Sequence, residues 1–316
     1  MNNSKKYVQD IFYKNIEIYK KSIIIFIILF IIIILSFYIS EQYRVNVAIK
    51  NMKYYDDYLA LDSFRNYKEL RLCDFYIASC FRPVTAINQR LDYVSSDILK
   101  KIIKYGARFL WFDVFNSNLG DKPVPLVSVG SKNGVWNFSL NSLLLEECIR
   151  VIGQTAFKSG EVNNYNDPLI IALNLNVNRN QFCLKKISEI IIKHLGTRLL
   201  GVEYSRSNKN MGEVLFRELI NKVVIFSSSG YEDSALEELV NYSWDKPKLK
   251  LINNKSVDPN INITEYVKED IDNLKNFNKN GLTIVTPDEK SFFTRQFNPK
   301  YAWDAGCQFV NMFYQD

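Results

Sequence analysis

Histidine is nearly absent from this chain. Its 316 residues contain one, His194, which leaves a zinc site short of ligands. No Cys-x-x-Cys pair occurs either. The five cysteines (Cys73, Cys80, Cys148, Cys183 and Cys307) are odd in number, widely spaced and mostly set in apolar runs. That pattern argues against a disulfide framework and fits a reducing compartment. A strong charge of one sign is missing too. The net charge of +6 and pI of about 8.8 are spread too thinly to choose between an anionic membrane and a nucleic acid. No segment interleaves basic and aromatic residues as a nucleic-acid binder does, so no nucleic-acid partner is expected. We find no internal repeat.

Apolar residues are plentiful, at 47%, enough to bury one large core or two modest ones. The longest run, "SIIIFIILFIIIILSFYIS" over residues 22–40, is apolar apart from three serines and a tyrosine. At ~1.5 Å per residue it spans roughly the 30 Å hydrocarbon core of a bilayer. It exceeds the ~7 to 15 residues of a signal-peptide core, and no small-x-small cleavage site follows it. The expectation is a single-pass anchor over 22–40, behind a basic tail over 1–21 and ahead of a juxtamembrane linker over 41–64. Lys5, Lys6, Lys14, Lys20 and Lys21 outnumber Asp10 and Glu17 in the tail, which favours an anionic leaflet. Arg44, Lys50 and Lys53 follow the anchor, so the charge bias leans toward a cytoplasmic N-terminus. Glycosylation sequons stand at Asn137, Asn241, Asn254 and Asn262. The Ile-, Asn- and Lys-rich composition is of the kind AT-rich genomes encode, which suits a large DNA virus or a parasitic eukaryote.

Beyond the linker, short apolar runs alternate with helical periodicity. The runs "CDFYIAS", "ARFLWFDVF", "PLVSVG", "PLIIALNLN", "KVVIFSS", "LTIV" and "CQFVNMFY" predict strands, and "SLNSLLLEECIRVIGQTAF" and "CLKKISEIIIKHLG" predict helices. This is the pattern of a parallel sheet covered by helices, an α/β fold. Closed as a (β/α)8 barrel it needs about 250 residues, which Ala60 to Asp316 supply without a second domain. The polar stretch Glu232 to Asn280, rich in Asn, Lys and Asp, is where a long surface excursion is expected to lie.

The segments "YGARFLWFDVFNSN", "KPVPLVSVG" and "AFKSGEVNNYNDPLIIALNLN" resemble the X region of phosphoinositide-specific phospholipase C. "NFNKNGLTIVTP" and "FNPKYAWDAGCQFVNMFYQD" resemble its Y region, with Asn298, Pro299, Trp303, Gly306, Cys307, Gln308, Val310 and Gln315 in the family's order. The resemblance implies a phospholipase C-like barrel over residues 65–316, X-like to about 230 and Y-like from about 231. It also implies a site that has lost its chemistry. Phe81 stands at the family's first catalytic histidine and Val129 at the second, and neither side chain can carry a proton. Of the calcium positions, Arg82 replaces an asparagine, Trp111 and Asn174 replace glutamates, and only Asp113 is retained. One carboxylate and one amide beside an arginine do not make a calcium cage. A guanidinium at Arg82 could instead take the cation's place and pair with Asp113, leaving these two as a residual anion or ligand site. The phosphate-binding positions are likewise replaced, by Phe226, Ser228, Ile284 and Thr286. Shifting the first strand by one position would put Cys80 at the histidine, where a depressed thiol pKa would be needed.

The resemblance therefore implies a membrane-anchored, catalytically inactive phospholipase C-like protein, a binding or structural module for phosphoinositide headgroups or a protein partner. No cofactor is expected. The alternative is a divergent phosphodiesterase with a rebuilt site, which would need calcium at Asp113.

Overall fold

The computed structural model describes residues 2–52, 66–117, 123–130, 138–206, 209–253, 271–287 and 297–315, with side chains from Tyr19 onward. Met1–Arg44 and Val45–Asp316 are two separate compact units. Helix α1 (Asn2–Asn51) makes up the first and runs into the second. Its stretch Tyr19–Asn51, of mean hydropathy 3.2, is long and apolar enough to cross a membrane. The isoleucines and phenylalanines of residues 23–37 are exposed on every side, as a lipid-facing helix requires. Within the second unit, Val45, Ala48 and Met52 are buried, at the spacing of one helical face. Asn51 Nδ2 donates to the Gln315 carbonyl at 3.3 Å, so these last turns pack into the folded body.

The second unit continues through β1 (Ile77–Phe81), α2 (Ser96–Lys104), β2 (Phe109–Asn116), β3 (Pro125–Val127), β4 (Leu143–Leu144) and α3 (Leu145–Thr155). There follow β5 (Leu169–Asn176), α4 (Gln181–Leu195), α5 (Val202–Arg206), α6 (Phe216–Leu219), β6 (Val223–Ser227), β7 (Tyr242–Ser243) and β8 (Leu249–Asn253). The chain ends with α7 (Ile271–Asn278), β9 (Leu282–Thr286), α8 (Lys300–Asp304) and β10 (Phe309–Met312). Eight strands are parallel and hydrogen-bonded in the order β7-β6-β5-β2-β1-β10-β9-β8. Because β1 and β10 pair, chain order runs around a nearly closed (β/α)8 barrel, open between β7 and β8 among the described residues.

Strand parity sorts the core into two shells. Inward residues fill the barrel: Phe109 stacks on Phe309 at 4.6 Å, and Phe226 meets both edge-on. Outward residues such as Cys80, Leu110, Ile171 and Ile225 pack with the apolar faces of α2, α3 and α4. Helix α2 illustrates the local logic. Ser95 caps it by accepting from Asp97 N at 3.2 Å, and Ile98, Leu99, Ile102 and Ile103 form its buried stripe.

The C-terminal segment stitches the barrel shut. Gly306, with φ of 77°, adopts the left-handed turn that ends α8 and leads into β10. Buried Gln308 then accepts from Thr283 N at 2.8 Å and donates to the carbonyls of Cys73 and Asn278, tying β9, the segment before β1 and α7 together.

Several expected elements differ. Leu72–Asp74 form a 3-10 turn, so the first strand begins at Ile77 rather than at Cys73. The run "PLVSVG" yields only β3, which pairs antiparallel with β2 and β4 as a flap outside the barrel. The polar stretch 232–280 also contributes β7 and β8, two barrel strands that sequence reasoning did not single out, and its residues 254–270 lie outside the described residues. Two residues in one and a Lys- and Asn-bearing run in the other are too short and too polar for periodicity to register.

Candidate functional site

Parity along β2 and β5 turns Trp111, Asp113 and Asn174 into the barrel, on the same face as Phe109, Ile170 and Ala172. On β1 the inward residues are Ile77, Ser79 and Phe81, so strict alternation would send Arg82 outward. It does not go there. Arg82 leaves the strand with φ of 48°, a left-handed conformation that few non-glycine residues adopt. The break puts Arg82 on the same side as Phe81, where its Cζ lies 4.7 Å from that ring's centroid.

There Arg82 meets Asp113. Arg82 Nε donates to Asp113 Oδ2 at 2.7 Å, with both side chains almost wholly buried. The other carboxylate oxygen, Oδ1, accepts from Trp111 Nε1 at 3.1 Å and from Asn174 Nδ2 at 2.8 Å. Arg82 Nη1 reaches across the loop after β1 to the buried Gln89 Oε1 at 2.8 Å. One network thus joins Arg82, Trp111, Asp113 and Asn174, positions that sequence reasoning related to the family's calcium. The donor set does not fit calcium. Asp113 already accepts three hydrogen bonds, and a dication beside it would face a guanidinium at contact distance.

Aromatic rings roof the network. Trp111 stacks on Trp244, centroids 4.9 Å apart and planes 12° from parallel. Phe81 lies 5.9 Å from Trp111 and meets Phe313 edge-on at 5.7 Å. Sequence reasoning missed Gln89, Trp244 and Phe313. Gln89 lies in a loop, and the other two adjoin strand ends where no periodic signal distinguishes roof from core.

The remaining sequence-predicted residues fall elsewhere or are inert. Val129 lies two residues past β3 in the flap, buried, its carbonyl accepting from Phe138 N at 3.0 Å. It is not among the residues bonded to Arg82 or Asp113. Phe226 and Ile284 are interior packing residues, and Ser228 Oγ is used by Leu175 N at 2.8 Å. Cys80 points outward into the helix-facing core, and burial pushes its thiol up to about 12. That excludes the thiolate reading and leaves Phe81 as the inward residue. His194 sits in the last turn of α4, its Nε2 3.2 Å from Glu146 Oε1, on the outer layer. Asn241 is buried with its Oδ1 bonded to Ile225 N and its Nδ2 to Ser205 Oγ, so that sequon is closed in the folded chain. The sequons at Asn137, Asn254 and Asn262 lie outside the described residues. Among the described residues no group of three or more His, Cys, Asp or Glu could hold a metal ion.

No protein-family model and no curated protein matches this chain in sequence. Solved structures match it in fold. L. pealei PLC21 superposes with a TM-score of 0.62 at 17% identity, covering 79% of this chain and 34% of that one. S. officinalis PLC21 gives 0.62 at 16% identity with the same coverages, 79% and 34%. This chain therefore spans about a third of the length of either. A calcium-dependent phosphoinositol-specific phospholipase C from Pseudomonas sp. matches with a TM-score of 0.50 at 13% identity, covering 82% of this chain and 95% of that one. These superpositions show that from β1 to β10 the chain carries the fold of the phosphoinositide-specific phospholipases C.

Proposed function

We propose that this protein is a membrane-anchored phospholipase C-like barrel that does not hydrolyse phosphodiesters and serves as a binding or structural module, for a phosphoinositide headgroup or a protein partner. One observation carries this reading: the only carboxylate in the network is spent on Arg82, Trp111 and Asn174, beneath a phenylalanine where a general base would have to stand. A hydrolase of this fold must deprotonate a hydroxyl and stabilise a phosphorane, and no group in the network can take a proton at neutral pH without breaking an ion pair. The Pseudomonas enzyme is calcium-dependent; here the cationic place is held by a side chain. The apolar helix anchors the module in the bilayer, and its flanking charges lean toward a cytoplasmic N-terminus.

The test uses the full chain reconstituted into vesicles containing phosphatidylinositol and its phosphorylated forms, with and without calcium. The expected outcome is no release of inositol phosphate and no effect of calcium on the melting temperature. Calcium-dependent release that Asp113→Asn abolishes would overturn the reading in favour of a rebuilt phosphodiesterase.

A further inference from the structure

The arginine that neutralises Asp113 is itself held from behind, by the end of helix α1. Asn51, the last residue of α1, donates from Nδ2 to the Gln315 carbonyl at 3.3 Å. Gln315 Nε2 donates to Thr85 Oγ1 at 2.8 Å, and Thr85 Oγ1 in turn donates to the Arg82 carbonyl at 3.0 Å. The relay thus ends on the residue paired with Asp113. Thr85 and Gln315 are 1% and 0% exposed, so these bonds are shielded from solvent and strengthen one another. Val45, Ala48 and Met52 of α1 belong to the same apolar cluster as Val84 and Ala86, the neighbours of Thr85. Packing and hydrogen bonding therefore run along one path.

Two energetic costs are concentrated on that path. Arg82 is held at φ of 48°, and Gln315 Oε1 is buried yet accepts no hydrogen bond. Such costs persist only where the surroundings over-determine them. Arg82 also has two discrete states: left-handed with its guanidinium on Asp113, or extended, where strand alternation would send the side chain outward. A residue with two states at the end of a relay is the element a conformational switch needs.

We infer that the last turns of α1 are the latch of such a switch: seated, they hold Arg82 left-handed and the Arg82–Asp113 pair closed, and displaced, they release both. The input is the bilayer. The stretch Tyr19–Asn51 of this same helix can span a membrane, and a spanning helix answers a change in hydrocarbon thickness by shifting or tilting. The output is a carboxylate and a guanidinium that no longer satisfy each other and must turn to water or to an incoming group. The inference rests on the anchoring part of the proposed function and not on the absence of hydrolysis.

Amide hydrogen exchange of the full chain in phosphatidylcholine nanodiscs tests it. The amides of Arg82 and Thr85 report the switch, because they donate to the Trp111 and Arg82 carbonyls at 3.1 Å each. Those of Leu169–Asn176 on β5 report the rest of the barrel. In Asn51→Ala, and more so in Thr85→Val, exchange at the two reporters should rise about fivefold or more with β5 unchanged. Thr85→Ser keeps the hydroxyl and should behave as wild type. Wild-type exchange at the reporters should also differ about threefold or more between discs of short-chain and long-chain lipid, a difference that Asn51→Ala removes. An equal rise across β5, unchanged exchange in both Asn51→Ala and Thr85→Val, or indifference to acyl-chain length in an embedded chain overturns the latch. Extraction of the chain from membranes by alkaline carbonate would sink the anchoring and this inference with it. Release of inositol phosphate in the hydrolysis assay would sink the inactive reading alone and leave the latch standing.

Discussion

The two walls of this barrel handle buried polarity in opposite ways. On the β1–β2–β5 wall a full positive and a full negative charge are buried together, and the carboxylate is bonded through both oxygens. On the β9–β10 wall there is no charge, yet the amide of Asn311 and the hydroxyl of Thr286 are left unbonded. Burial alone therefore does not mark the place where a ligand would act. The charged wall has been closed by its own side chains, and a closed network has little to offer a newcomer.

The largest expected effect comes from breaking the closed wall. Arg82→Met leaves Asp113 as an unpaired buried carboxylate and should destabilise the full chain by about 3–5 kcal/mol, as should Asp113→Leu. Combining the two should restore most of the loss, because a hydrophobic pair removes both desolvation costs at once. Thermal unfolding in micelles reads this directly, and additive losses in the double variant would show that the pair does not hold that wall together. A smaller effect is expected at the roof. Trp244 is half-buried and stacks on Trp111, so Trp244→Ala should cost about 2 kcal/mol by lost area and stacking.

The smallest effect, per group, is a pH dependence at the seam between the walls. Cys80 on β1 and Cys307 before β10 are buried, and their thiols are pushed from 9.0 to about 12 by desolvation. The unfolded chain ionises them first. Their contribution to stability is complete below about pH 9 and is lost as pH rises toward the folded value, about 1 kcal/mol per thiol by pH 10. Melting temperatures between pH 8 and 10 should fall, and Cys80→Ala should flatten part of the slope. An unchanged slope in that variant would mean that Cys80 is not shielded.

Much of the architecture was legible in the residues. The long runs of β2, β5 and β6 announce themselves because parallel strands buried on both faces are apolar throughout. The C-terminal motif was legible too, and its Gln308 bonds three elements at once. The site was legible in composition only. That Phe81, Arg82, Trp111 and Asn174 stand around Asp113 could be aligned, whereas Gln89 and Trp244 could not, since each reaches the network from a loop or a strand end with no periodicity of its own. Strands β7 and β8 escaped for the same reason: short pairing segments gain their stability from neighbours, not from their own pattern.

The sequence by itself determined that one helix is apolar enough to span a bilayer, that the rest alternates strand and helix, and that one histidine is available to it. Hydrophobic length and periodicity are local properties, so they survive in one dimension. Tertiary structure alone decided that Arg82 turns inward, because a left-handed φ at one residue overrides strand alternation. It alone decided that Asn311 and Thr286 meet unpartnered, because strand register brings together residues 25 positions apart in the chain. Hydrogen bonds are satisfied or orphaned by what lies across the barrel, and that neighbour is set only when the sheet closes.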